Sequence, residues 1–406
     1  MSIDRRSFIR SLSGQAVRSV GAALAITGQV RQEIEGQLRD EAPTAEAAVE
    51  ARSAGRSDLP AALGSAEIVP WAGEAVELGA WADEPAIPSM LTEAGVIAAV
   101  DQRQLPADVV RVTLGSAGEV VQAIRDGVID GGLAIVGAAV QTLAMVADRA
   151  SSAPPTSRAA IVSGAARALV GARPDVPLLR ATLGAFVPDL DRIEIPSLGE
   201  LRAAAESRAE TVRAEHRALA SIGAGWLRER FGPATDILLV GEFGPTSSAS
   251  IGTTSSVLRA AAEAGMHLRV WVADGEPLAR GAALLRASIG AAAIDVQSIP
   301  DAHLHRLLIE HDVKVVLLGA SWVGGDGSFG GQLGSTSAAL LARRREIQVV
   351  GVASRSMVVR ESPGHRVAAT HQTHRGVPLE LVDGQLLDLT LTEVGVVGPG
   401  SMGRLA

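Results

Sequence analysis

Ile237-Leu238-Leu239-Val240-Gly241-Glu242-Phe243-Gly244 is a short apolar run that ends on a glycine and a carboxylate. A Ser/Thr-rich loop over 245–256 follows it, and a helical pattern resumes at Val257. The same arrangement recurs through the second half of the chain. Apolar runs of about five residues stand at 236–240, 267–272, 292–296, 314–318 and 348–352, bounded by Gly, Asp or Pro and mostly followed by helical stretches. Strands that are apolar on both faces and separated by helices predict a parallel sheet covered on both sides. Right-handed crossovers make this a doubly wound Rossmann-like α/β domain over 231–406, with its ligand site beyond the carboxyl ends of the strands.

Upstream the periodicity is helical. Residues 117–125 and 134–146 carry apolar side chains at helical spacing, broken by Gly127, Gly131 and Gly132, and 198–227 alternates Ala, Leu, Arg and Glu. These predict a helical domain over 96–230, with a loop at 151–157 around Pro154-Pro155. Residues 1–95 read as an extension, partly helical or flexible. Asp4-Arg5-Arg6-Ser7-Phe8-Ile9 has the look of a twin-arginine export signal. Arg18 interrupts the approach to the apolar stretch behind it, and no small-residue cleavage site follows, so a basic amphipathic helix and a cytoplasmic location are the preferred reading.

Composition removes whole classes of chemistry. The 406 residues include no cysteine and no tyrosine, which excludes disulfides, thiolate metal sites and cysteine nucleophiles. Aromatics are 2% of the chain and the net charge is −8, so neither stacking platforms nor a basic face for nucleic acid is expected. Lys314 is the sole lysine. No run of about 18 apolar residues predicts a membrane span. Gly398-Pro399-Gly400-Ser401-Met402-Gly403 matches the dinucleotide fingerprint as a string, but only three residues follow, too few for the helix that would hold a pyrophosphate. It is read as a terminal turn, and no cofactor is expected. His303, His305 and His311, and the pair His371 and His374, lack neighbouring carboxylate ligands, so no metal site is expected.

Gly319-Ala320-Ser321, the glycine-rich 324–334 and the helical 335–345 carry a family resemblance. They resemble the Gly-Ala-Asp, Asn-Gly loop and Asn-Lys-Ile-Gly-Thr of the superfamily that joins methylthioribose-1-phosphate isomerase to the alpha, beta and delta subunits of translation initiation factor 2B. Similar segments occur in the family's order at 100–110, 123–139, Arg173-Pro174, 222–225, 262–277 and Thr392-Glu393-Val394-Gly395. The resemblance covers about 96–402 and implies a helical plus Rossmann-like fold and a homodimer formed through the second half.

The departures bear on function. By the resemblance, the isomerase's cysteine falls at Gly241, its aspartate at Ser321, its Asn-Lys pair at Gly331-Gln332, one arginine at Asp130 and one glutamine at Arg280, while Arg173 keeps the family's residue. A glycine and a serine cannot supply the tuned acid–base pair that moves a proton between sugar carbons. The expectation is therefore a member that binds a sugar phosphate or nucleotide, or acts in protein assembly, without catalysis. Its site would comprise Arg173, Arg280, Gly244, Thr246, Ser247, Thr253 and Gln332. Two alternatives stand beside it. One is an aldose–ketose isomerase of changed specificity, in which Glu242 and Asp326 form a new carboxylate pair. The other is a regulatory subunit that acts by protein contacts alone.

Overall fold

The computed structural model describes residues 67–83, 90–93, 96–186, 198–275, 280–360 and 379–406. The twin-arginine segment and the pair His371 and His374 lie outside them. In chain order the strands are β1 (Ile68–Val69), β2 (Met90–Glu93), β3 (Val96–Val100) and β4 (Arg111–Leu114). Helices α1 (Ala117–Arg125), α2 (Gly132–Arg149), α3 (Pro155–Val170), α4 (Pro177–Phe186) and α5 (Leu198–Phe231) follow. The second half runs β5 (Ala234–Val240), α6 (Pro245–Ser248), α7 (Thr254–Glu263), β6 (His267–Ala273), α8 (Gly281–Ile289), β7 (Ile294–Ile299), α9 (Leu304–Glu310) and β8 (Val313–Gly319). It ends with β9 (Trp322–Gly324), β10 (Phe329–Gln332), α10 (Ser335–Arg344), β11 (Gln348–Val352), β12 (Val358–Val359), β13 (Leu379–Val382), β14 (Leu389–Thr392) and β15 (Gly395–Val397).

The main sheet has the order β1-β15-β14-β11-β8-β5-β6-β7. From β14 to β7 every pairing is parallel, while β15 and β1 close the edge antiparallel. The five strands expected from the apolar runs are all present and parallel. In this sheet the chain winds outward from β5 in one direction through β6 and β7, and in the other through β8, β11 and β14. The order reverses between β5 and β8, so their carboxyl ends open a crevice at the switch point. A four-stranded sheet, β12-β9-β10-β13, and a three-stranded one, β2-β3-β4, flank this core.

Three expectations change. The stretch before residue 96 is not wholly an extension: Ile68 and Val69 pair with Val397 and Val396, and Val76 is buried in the core on that side. The helical part is preceded by the β2-β3-β4 sheet, which the alternation at 90–114 did not announce. The expected loop at 151–157 is shorter, because Pro155 occupies the first turn of α3, where its missing N–H costs nothing. The C-terminal glycine string does form a 3₁₀ turn, Pro399–Arg404, with Ser401 and Met402 buried.

Helix α2 is the axle of the first half. By length and composition it could cross a bilayer, yet most of it is buried inside the protein, as befits a central core helix. Its first residue, Gly132, lies so close to the Ser321 carbonyl oxygen that a β-carbon would overlap it. Gly241, at φ 100°, also lies too close to the Gly319 carbonyl oxygen to carry a β-carbon. Two strand ends and one helix start thus converge at backbone contact. Gly241→Cys, which restores a thiol where the resemblance implies one, combines a left-handed backbone with this overlap. It is expected to cost about 2–4 kcal/mol, read as a lower urea midpoint. An unchanged midpoint would show that β5 and β8 leave room there.

Candidate functional site

Beyond the carboxyl ends of β5 and β6 lies an open cleft lined by Gln102, Asp130, the turn after β5, Asp274, Arg280 and Gln332, among others. Glu242 is the first side chain after the β5 turn. It is 7% exposed, and its carboxylate accepts the Ser321 hydroxyl and, at 3.4 Å, the backbone N–H of Gly132 at the start of α2. Burial foremost, then the negative charge of Asp130, pushes the Glu242 carboxyl up to about 7, against the pull of Ser321, Arg173 and the Gly132 N–H. This is a carboxyl that changes charge near neutrality at the floor of a cleft.

Behind it lies a buried ion cluster. Arg173, 1% exposed, donates to Asp130 at 2.6 Å and grips Asp175 with two nitrogens at 2.9 and 3.0 Å. Burial works against the guanidinium's charge, but the two carboxylates outweigh it and hold Arg173 protonated. Asp130 also accepts the Gly131 N–H at 2.9 Å. Gln102 ties the floor together, donating to the carbonyls of Asp130 at 2.9 Å and Thr246 at 3.2 Å. Trp322, buried below, donates to the Asp175 carbonyl at 3.1 Å.

Of the residues expected at the site, Glu242, Gly244, Thr246, Ser247, Arg280 and Gln332 line the cleft together. Thr253 faces a small inner void that it shares with Glu242 and Ser247. Two expectations fail. Asp326 does not pair with Glu242. It sits at the tip of the β9–β10 hairpin, where its carboxylate accepts the N–H and hydroxyl of Ser328 at 3.0 and 2.6 Å, and it is not among the residues lining the cleft. A hairpin tip carries its side chain away from the strand end that starts it. Arg173 is not a ligand-facing cation either, because Asp130 and Asp175 enclose it. The carboxylate beside Glu242 is Asp130, which was read in the sequence only as a lost arginine. Gln102, Asp175 and Asp274 were also missed. Asp274 stands directly after β6, and Gln102 lies in the Asp-Gln-x-x-Leu-Pro segment, so both had a positional signal.

Among the described residues no group of three or more His, Asp or Glu side chains is arranged to hold a metal ion. Trp226 and Trp322 are core residues, while Trp271 is half-buried against the His311 ring.

Two outcomes follow from this geometry. Arg173→Met leaves two buried carboxylates without their counter-ion and is expected to cost about 3–5 kcal/mol in a denaturant titration; a loss below about 1 kcal/mol would mean that the cluster is solvated. For Glu242 the folded chain keeps a proton that the unfolded chain, with a carboxyl near 4.5, releases. Stability therefore falls as pH rises from about 4.5 to about 7. Glu242→Gln should be more stable than the parent by about 1–3 kcal/mol at about pH 8, and equal to it below about pH 4. A constant difference across that range would refute a raised Glu242.

Comparison with known proteins bears on the family and the fold. The model of the Initiation factor 2 subunit family matches residues 128–373, more than half of the chain. The chain is 26% identical over 333 residues to methylthioribose-1-phosphate isomerase of Pseudomonas aeruginosa, covering 77% of this chain and 92% of that protein. It is 29% identical over 286 residues to the enzyme of the same name from Magnetococcus marinus, covering 69% and 78%. Among solved structures it shares the fold of 5-methylthioribose 1-phosphate isomerase from Pyrococcus horikoshii OT3, with TM-score 0.60 and 20% identity over 78% of this chain and 94% of that one. Translation initiation factor eIF-2B subunit delta from A. fulgidus is similar too, with TM-score 0.56 and 21% identity over 76% and 95%. The chain belongs to the Initiation factor 2 subunit family.

Proposed function

We propose that this protein is an intramolecular aldose–ketose isomerase of changed specificity, with Glu242 as the group that moves the proton. The relatives named as isomerases favour this reading over the non-catalytic binder expected from the lost cysteine and aspartate. The observation that carries it is Glu242 itself. Its carboxylate is bonded to Ser321, the position that the resemblance assigns to the family's aspartate, so a carboxylate stands within hydrogen-bond reach of that place although the serine cannot titrate. The aspartate's function can thus be supplied from the end of the neighbouring strand.

The chemistry balances without an added reactant. Glu242 as carboxylate takes the proton from C2 of an open-chain aldose, whose C1 carbonyl becomes an enediolate. The acid so formed returns the proton to C1, while the O2 proton moves to O1. Ser321 and the Gly132 N–H hold the carboxyl in one orientation. Arg280 and Gln332, which also line the cleft, are donors for the developing oxygen charge. A base with a pKa close to the working pH is efficient in both proton transfers.

Incubation of the full chain with candidate aldoses in deuterated water should place deuterium on the sugar carbons and yield the ketose. Glu242→Gln should lower kcat by about 10²–10⁴. Because the base must be deprotonated, kcat/KM should rise with pH through about 7. A flat pH profile, or full activity in Glu242→Gln, would exclude Glu242 as the base.

A further inference from the structure

The main sheet has two edges, and the chain guards them differently. At one end β7 presents exposed Asp295, Gln297 and Ser298, with Arg269 donating to Asp295 at 2.9 Å. Charge on an edge strand discourages a second strand from pairing there. At the other end stands β15, Gly395-Val396-Val397, which carries no charge. Its outward backbone is met by β1: Ile68 and Val69 pair with it, and Gly398 donates to the Glu67 carbonyl at 2.9 Å. The chain then runs on to Asp83 as a strap across α5 and α7. The Val76 N–H donates to the Ser221 carbonyl at 3.3 Å, and the Ser221 hydroxyl donates to the Val76 carbonyl at 2.6 Å. Arg217 donates to the Ala82 carbonyl at 3.0 Å and pairs with Asp83. Trp81 donates to Glu263 of α7 at 2.5 Å, and the Arg259 guanidinium stands 4.6 Å from its ring centre.

Two glycines are fitted to this strap. Gly225, in the interior of α5, lies against the Glu74 carbonyl, and Gly395 lies against the Val69 carbonyl, each too close to carry a β-carbon. A glycine inside a helix costs stability relative to alanine, and the strap's backbone accounts for the one at 225. The ties themselves are of the kind that open locally: two strand pairs, the exposed ion pairs Arg217–Asp83 and Arg228–Glu74, and two half-buried tryptophans, Trp71 and Trp81. We infer that residues 67–83 are a releasable cap on an interaction surface, a strand-addition groove formed by β15, α5 and α7, and that the partner this groove fits once uncovered is the β15 edge of a second copy of this chain. An uncovered β15 offers unpaired N–H and C=O groups with no charge to repel a neighbour, and two such edges pair antiparallel about a twofold axis. The strap already pairs with β15 in that direction. With the cap seated, the edge is satisfied within one chain and the contact is closed. This device is independent of the chemistry in the cleft.

Two full-length variants test the cap, each read by hydrogen exchange of residues 67–83 and by light scattering against the parent's own mass. Gly225→Ala sets a β-carbon where the Glu74 carbonyl rests. Exchange in the strap should become at least about tenfold faster, and the mass should climb above the parent's as protein concentration rises. Were the strap not seated on α5, the same substitution would only improve a helix, leaving exchange unchanged and raising the melting temperature. Trp71→Ala combined with Trp81→Ala weakens the strap and leaves the groove whole, so it decides the matter if Gly225→Ala does not fold. It too should exchange faster and associate, and a synthetic peptide of residues 67–83 added to it should restore the parent's mass. Unchanged exchange in either variant would overturn the proposal. So would a loosened strap with the parent's mass, because the groove would then take no second copy. Association that the peptide does not reverse would place the contact on another surface and overturn it as well.

Discussion

The site depends on how closely three backbone segments can approach. The carbonyl of Gly319 lies against Gly241, and the carbonyl of Ser321 lies against Gly132, each at a separation that excludes a β-carbon. Side chains at these points would hold β5, β8 and α2 apart and let water between them. Without side chains, the turn after β5 is carried against the start of α2, and Glu242 reaches Ser321 just beyond the end of neighbouring β8. The strand order that reverses between β5 and β8 creates the crevice, and the bare backbone sets its depth.

Burial then determines the electrostatics. A carboxylate at the floor of so tight a junction loses most of its hydration, and the neighbouring Asp130 adds a like charge. Such a pair would be hard to tolerate without a counter-ion. Arg173 provides it, held in a bidentate grip by Asp175, whose carbonyl is bonded in turn to Trp322. The arginine contributes charge balance to the protein rather than affinity for a ligand. The same residue type at the same place in the chain can serve either purpose; its partners decide which.

The same contacts bear on the two positions where the chain departs from the pattern that the resemblance implies. Gly241 and Ser321 lack the groups that the resemblance implies; Gly241 lines the cleft, Ser321 is buried beside it, and the Glu242 carboxylate accepts the Ser321 hydroxyl. Reading the motif position by position finds a glycine and a serine, whereas the folded chain places the Glu242 carboxyl against that serine. The Asp130 substitution, which looked like the removal of a phosphate contact, belongs to the same rearrangement, since it sits between Arg173 and Glu242.

Short-range pattern was enough to determine the parallel sheet, the helical first half and the terminal turn, because apolar periodicity and glycine punctuation are local properties of the chain. It also marked the carboxyl ends of the strands as the site, and most of the cleft residues lie there. Tertiary structure alone decided which charges meet. Arg173 and Asp130 are 43 positions apart, and Glu242 and Ser321 are 79 apart, so no spacing rule links them. Asp326 is close in sequence to a strand end and yet is turned away by a hairpin. Whether a charged side chain is neutralised by a neighbour depends on contacts of this long-range kind, which local pattern does not carry.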